Sequence, residues 1–197
     1  MHSLNSSSVA AFLKNLRGTF TRLSQLPIPT ISAISSTAFG GGLELALCTN
    51  FRVLASTATV GLPETRLAII PGAGGTFRLP ALIGPNRARD LVLTGRRVTG
   101  PEAYFMGLCD RLVEITEDEK DGEGVARGKV LEQAVQMATD ICEGGPVAIR
   151  AAMQAVNGWV EGEKSENAAY EMVIPTQDRT EALKAFGEKR KPVFKGR

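Results

Sequence analysis

Two glycine-dense turns, Gly40-Gly41-Gly42 and Gly72-Ala73-Gly74-Gly75, interrupt the apolar part of this chain and punctuate one core. Glycine gathers where a backbone must turn sharply or pass close to another group, so two such turns fix where the core can bend. Ahead of the first turn, Val9, Phe12, Leu13, Leu16, Phe20 and Leu23 recur at helical spacing and predict a core helix over residues 9–25. It stops before Pro27, which lacks an N–H donor and restrains its predecessor. Residues 30–35 then read as a buried strand, 43–47 as an apolar helix start and 51–55 as the next strand, giving a strand, turn, helix, strand unit.

The second turn leads into residues 76–83, and helical segments follow at 86–93 and 101–106 with a strand at 111–115. This alternation predicts an α/β fold. The acidic, glycine-bearing stretch 117–124 reads as a solvated loop and a border between two regions. Residues 1–116 form the core that bears the chemistry, and residues 117–197 form a helical region, with helices near 125–143, 146–157, 165–174 and 178–190.

Composition narrows the chemistry. The 23 basic and 21 acidic side chains leave a net charge of +2, too little for long-range attraction to nucleic acid or an anionic membrane. Cys48, Cys109 and Cys142 are odd in number and far apart, which argues against a disulfide framework or a thiolate metal site. The single histidine, His2, belongs to an expected loose terminus, so histidine triads and histidine-rich metal sites are excluded and acid–base work falls to carboxylates. No apolar run approaches the roughly 20 residues needed to span a bilayer. Residues 1–43 carry no acid but include Lys14, Arg17 and Arg22, the composition of a mitochondrial presequence; their helical spacing favours a folded helix instead.

Glu44 follows the first glycine turn on a nascent helix, where free N–H groups at the positive end of the helix dipole can hold an oxyanion. Glu64 follows Pro63 and precedes the second glycine turn. Two carboxylates on neighbouring loops of one core can serve as a general base and a general acid. Read alone, each is more often a surface glutamate.

The stretch LPIPTISAISSTAFGGGLELALCTNFRVLASTATVGLPETRLAIIPGAGGTFRL, residues 26–79, resembles the signature region of the crotonase (enoyl-CoA hydratase/isomerase) family. The likeness continues through LTGRRVTGPEAYFMGLCDRLV to IPTQDRTEALKAFGEKRKPVFKG, which is similar to the methylglutaconyl-CoA hydratase branch, including an AU-rich-RNA-binding member. The resemblance implies a crotonase-type ββα spiral with a helical C-terminal region that builds trimers or hexamers. It implies hydration of the C2=C3 bond of an acyl-CoA thioester, with Glu44 as base and Glu64 as acid. The Gly41 amide would be one oxyanion donor, Gly72 would shape the water site, and Phe186 and Lys189 would contact coenzyme A. Neither a metal nor any cofactor beyond the substrate's own coenzyme A is implied. The mitochondrial matrix is the implied compartment, with cytoplasm or peroxisome as alternatives.

In the family, several strands and a small-residue motif with a second oxyanion donor precede the helix that begins here near Val9, so the resemblance implies an N-terminally truncated spiral. Met1 is then an internal start, an error in the assigned start, or the start of a shortened and catalytically weak isoform. Asn50 stands where relatives usually carry aspartate, and Phe77 where they carry a polar residue. The substrate choices are 3-methylglutaconyl-CoA of leucine breakdown and a fatty enoyl-CoA. An enoyl-CoA isomerase of the same fold is a rival, although isomerases commonly lack one of the two glutamates. An RNA-binding protein is another rival, disfavoured by the near-neutral charge and the lack of an RNA-recognition signature.

Overall fold

The first four strands of this chain enter two different sheets in turn, and that alternation generates the architecture. The structure is a computed structural model describing residues 6–197 apart from 121 and 123. After α1 (Ser6–Ser24), the first turn of the spiral contains β1 (Ile31–Ile34), β2 (Thr37–Phe39) and α2 (Gly41–Ala46). The second contains β3 (Phe51–Ala55), β4 (Thr59–Gly61), a 3-10 turn at Glu64–Leu67, α3 (Gly75–Ile83) and α4 (Pro85–Thr94). The third contains β5 (Val98–Thr99), α5 (Gly100–Met106) and β6 (Arg111–Val113). Strands β1, β3 and β6 form one parallel sheet in the order β1-β3-β6, with Ile31 opposite Phe51 and Val53 opposite Arg111. Strands β2, β4 and β5 form the other, with Phe39 opposite Gly61 and the β4–β5 pair antiparallel. Parallel neighbours require crossovers, which α2 and the later helices supply. This is the ββα spiral that the resemblance implied.

Val53, Leu54, Val60 and Leu62 are fully buried on the central strands β3 and β4 and just beyond, and each contributes about 1.5–3 kcal/mol by leaving water. Arg52 is buried beside them without being stranded. Its guanidinium donates to Leu108 O, Thr49 O and Asn50 O and pairs with Asp110 Oδ2 at 2.9 Å, tying β3 to the loop that enters β6. Asn50 Oδ1 accepts from Thr30 N and Thr30 Oγ1, so this residue anchors the entry to β1.

The helix expected over 9–25 is present, but its apolar stripe is only half used. Phe20 packs with Cys48 and Ala73, flanked by Leu16 and Leu23, whereas Phe12 is 60% exposed. Helix α1 meets the loops that carry Cys48 and Ala73 through Leu13, Leu16, Arg17, Phe20 and Leu23. His2 lies outside the described residues.

The chain packs as two compact units. One comprises residues up to Leu26 together with Thr30–Val135, and the other comprises Pro27–Pro29 with Gln136–Arg197. The acidic segment read as a border at 117 therefore falls inside the first unit. Thr116 and Glu119 form a capping box, Lys129 Nζ donates to Glu119 Oε2 at 2.6 Å, and Ile115 N donates to Ser56 Oγ, which hold the segment to its neighbours. The division lies instead within α6 (Val125–Cys142). The second unit continues with α7 (Pro146–Asn157), α8 (Glu163–Val173) and α9 (Gln177–Gly187). Pro146 stands at the start of α7, where its missing N–H costs nothing, and Thr176 caps α9 by accepting from Arg179 N. The C-terminal tail is strapped to α9 by Asp178, which is buried and accepts from Lys195 N and Gly196 N, both at 2.7 Å. No described helix is long and apolar enough to cross a membrane.

Candidate active site

Glu44 is 3% exposed, an unusual depth for a carboxylate, and the second glycine turn explains it. Its Oε1 accepts two hydrogen bonds, from Ala73 N and Gly75 N, both at 2.8 Å. Backbone donors aimed at one oxygen favour the charged form of a buried acid. Glycine at position 75 makes the approach possible: a Cβ there would lie 3.1 Å from Glu44 Oε1 and 2.9 Å from Leu62 Cδ1. The two glycine turns of the sequence thus meet, one carrying the carboxylate and the other its donors.

Glu64 opens the 3-10 turn and is half-buried. Its Oε1 would lie 3.1 Å from a Cβ on Gly40, which has a left-handed φ of 53° that suits glycine. Its Oε2 is buried with no hydrogen-bond partner, the one such side-chain oxygen or nitrogen among the described residues. Burial pushes the Glu64 carboxyl above its ordinary value; its own backbone amide pulls partly back, and the charge of Glu44 adds to the rise. The two carboxylates are thus electrostatically coupled and held in opposite ways, one by two donors and the other by none at Oε2.

Gly41 is the first residue of α2, where N–H groups lack helical acceptors. Gly72 lies in the loop before α3, its carbonyl accepting from Arg17 Nε at 2.5 Å and its Cα facing Leu13. Glu44, Glu64, Gly41 and Gly72 all belong to the first unit, while Phe186 and Lys189 belong to the second. Phe186 is 85% exposed on α9, and Lys189 follows that helix with a left-handed φ of 54°. A cavity of about 540 Å³ is lined by Phe39, Gly61, Pro63, Arg66, Arg96 and Arg97, with neither glutamate in its wall. Leu62, between Gly61 and Pro63, faces Gly75 instead. No group of three or more metal-ligating side chains occurs among the described residues.

The Ala73 and Gly75 amides are the functional groups that residue-type reasoning missed. The glycine density of the loop marked it as a backbone surface, but nothing in the letters says which amide points at which carboxylate.

The family described as enoyl-CoA hydratase/isomerase matches residues 1–197. An enoyl-CoA isomerase/hydratase of Zymoseptoria tritici is 78% identical over 94% of this chain and 61% of its own length. The mitochondrial methylglutaconyl-CoA hydratase 1 of Pyricularia oryzae is 62% identical over 94% of this chain and 56% of its own. The chain therefore spans well under two thirds of these curated relatives. The crystal structure of an enoyl-CoA hydratase from Bacillus anthracis superposes with a TM-score of 0.89 at 42% identity, covering 99% of this chain and 73% of that one. With a family match over residues 1–197, this chain belongs to the enoyl-CoA hydratase/isomerase family.

Proposed function

We propose that this chain carries the acid–base centre of an enoyl-CoA hydratase, a hydro-lyase that adds water across the C2=C3 bond of an acyl-CoA thioester. The observation that carries the reading is the unequal pairing of Glu44, held by two amides, with Glu64, whose Oε2 has no partner and whose carboxyl is pushed up by burial. Glu44 enters as the carboxylate and removes a proton from water. The oxygen bonds to C3, the π electrons move onto the thioester oxygen, and the Gly41 N–H stabilises that enolate oxygen. Glu64 enters protonated and delivers its proton to C2, so one water is added in all. Proton exchange with solvent then resets the pair.

Phe186 and Lys189 contact the coenzyme A portion in this reading, with the ammonium meeting a phosphate. The name of the Pyricularia oryzae relative supports 3-methylglutaconyl-CoA as substrate and the mitochondrial matrix as compartment. Exposed apolar residues of the second unit, such as Trp159 at 76% and its neighbour Val160, support assembly into a trimer or hexamer. The test is to supply the protein with crotonyl-CoA, 3-methylglutaconyl-CoA and a 3-enoyl-CoA. Hydration of the first two is expected; double-bond migration in the third without hydration of either would make the protein an isomerase.

A further inference from the structure

The loop that holds Glu44 is itself held. Its amides at Ala73 and Gly75 are spent on the carboxylate, and two of its carbonyls are taken by arginines from different helices. Arg17 of α1 donates from Nε to Gly72 O at 2.5 Å, and Arg78 of α3 donates from Nη1 to Ala73 O at 3.0 Å. Arg78 is placed twice over. Its guanidinium lies 4.7 Å from the centre of the Phe77 ring, a cation–π contact, and it occupies the space where residue 74 would carry a Cβ, 1.9 Å from Nη1. Gly74 has a left-handed φ of 118°, so the loop turns where only glycine leaves room for the clamp. The aromatic at position 77 thereby acquires a task.

We propose that Arg17 and Arg78, the latter seated on Phe77, are positioning residues that lock the 72–75 loop and so aim the Ala73 and Gly75 amides at the Glu44 carboxylate. This rests on Glu44 being the general base. The ionisable groups around Glu44 are Glu64 from the 3-10 turn, Arg78 from α3 and Cys48 from its own helix. Cys48 stays a neutral thiol, because burial raises it more than Arg78 lowers it.

The experiment compares wild type with Arg78→Leu, Arg17→Leu, Phe77→Leu and Arg78→Lys. Amide hydrogen exchange at Ala73 and Gly75 is read alongside kcat, KM, the pH profile of enoyl-CoA hydration and Tm. In Arg78→Leu, the two amides should exchange about tenfold faster or more while the strands keep their protection. The same variant should lose roughly 10- to 100-fold in kcat with KM nearly unchanged, and the acid limb of its profile should move to higher pH. Arg17→Leu and Phe77→Leu should move the same readouts less, and Arg78→Lys, which keeps a donor, should recover part of the loss. Should Arg78→Leu fail to fold, the Arg17 and Phe77 variants carry the test. Exchange and pH profile both unchanged in folded variants would overturn the clamp while leaving Glu44 its role. Faster exchange with an unmoved acid limb would instead remove Glu44 from the role of base, and the clamp's catalytic meaning with it.

Discussion

Glu44 sits on a helix with one carboxylate oxygen receiving two backbone donors, while Glu64 sits on a short 3-10 turn with a buried oxygen that receives none. The residue type is the same and the charges interact, yet two backbone donors hold one carboxyl while burial favours the neutral form of the other. A base and an acid can thus be made from one side chain by backbone placement alone. Ion-paired glutamates elsewhere form a useful contrast. Glu119 and Glu181 are partly exposed and held at about 2, chiefly by hydrogen bonds from Lys129 and Arg190. Among the described glutamates, Glu64 alone is raised by burial and carries an orphaned oxygen, and unsatisfied buried groups of that kind persist where function requires them.

The largest effect should come from neutralising either member. In enzyme that hydrates an enoyl-CoA, Glu44→Gln and Glu64→Gln should each lower kcat by about 10² to 10⁴-fold, the usual worth of a general acid or base. The fold should survive, because an amide oxygen at position 44 still accepts from Ala73 N and Gly75 N. Near-wild-type steady-state rates in either variant would dissolve the comparison altogether.

A step down in size, Gly75→Ala tests the anchoring of Glu44 without touching a carboxylate. The new methyl would press on Leu62 Cδ1, Pro71 Cβ and Glu44 Oε1. About 1–3 kcal/mol of stability should be lost to overpacking, and kcat should fall by roughly tenfold or more as the carboxylate shifts. Calorimetry and steady-state kinetics together check this, and an unaffected kcat would mean that the anchoring is not part of catalysis.

The pH dependence of stability separates the two glutamates more gently. Because the folded-state pKa of Glu64 lies above its unfolded value, its contribution is fully present below the ordinary carboxylate pKa and is lost as pH rises through the raised value. Glutamine does not titrate. The Tm of Glu64→Gln relative to wild type should therefore climb as pH rises across that window, as read by thermal melts at several pH values. A flat difference would mean that burial does not disfavour the Glu64 carboxylate.

The smallest effect belongs to Glu119. Its pKa is depressed to about 2, so its stabilisation is present at neutral pH and lost as pH falls toward that value. Because solvent reaches and screens this surface pair, Glu119→Gln should lower Tm only slightly at neutral pH and not at all in strong acid, with unchanged turnover. A large loss of turnover would give this surface carboxylate a weight that its exposure denies.

Much of this protein is determined by its letters. Strand β3 and α7 stand where the sequence puts them, and most other long helices differ by a residue or two at their ends, because apolar period and flanking proline or glycine are local signals. The two glycine turns, with Glu44 and Glu64 beside them, were equally legible. What the letters withheld is non-local. Strands β2, β4 and β5 have only two or three residues, too few to show any period, so the second sheet exists only through its pairings. The boundary inside α6 depends on where contacts thin out, not on the acidic composition at 117. The exposure of Phe12 on an otherwise regular apolar stripe depends on what α1 meets. The unequal treatment of Glu44 and Glu64 was decided by tertiary structure alone, because it rests on main-chain N–H groups of Ala73 and Gly75. Every non-proline residue carries such a group, so only the path of the backbone can say which carboxylate receives one.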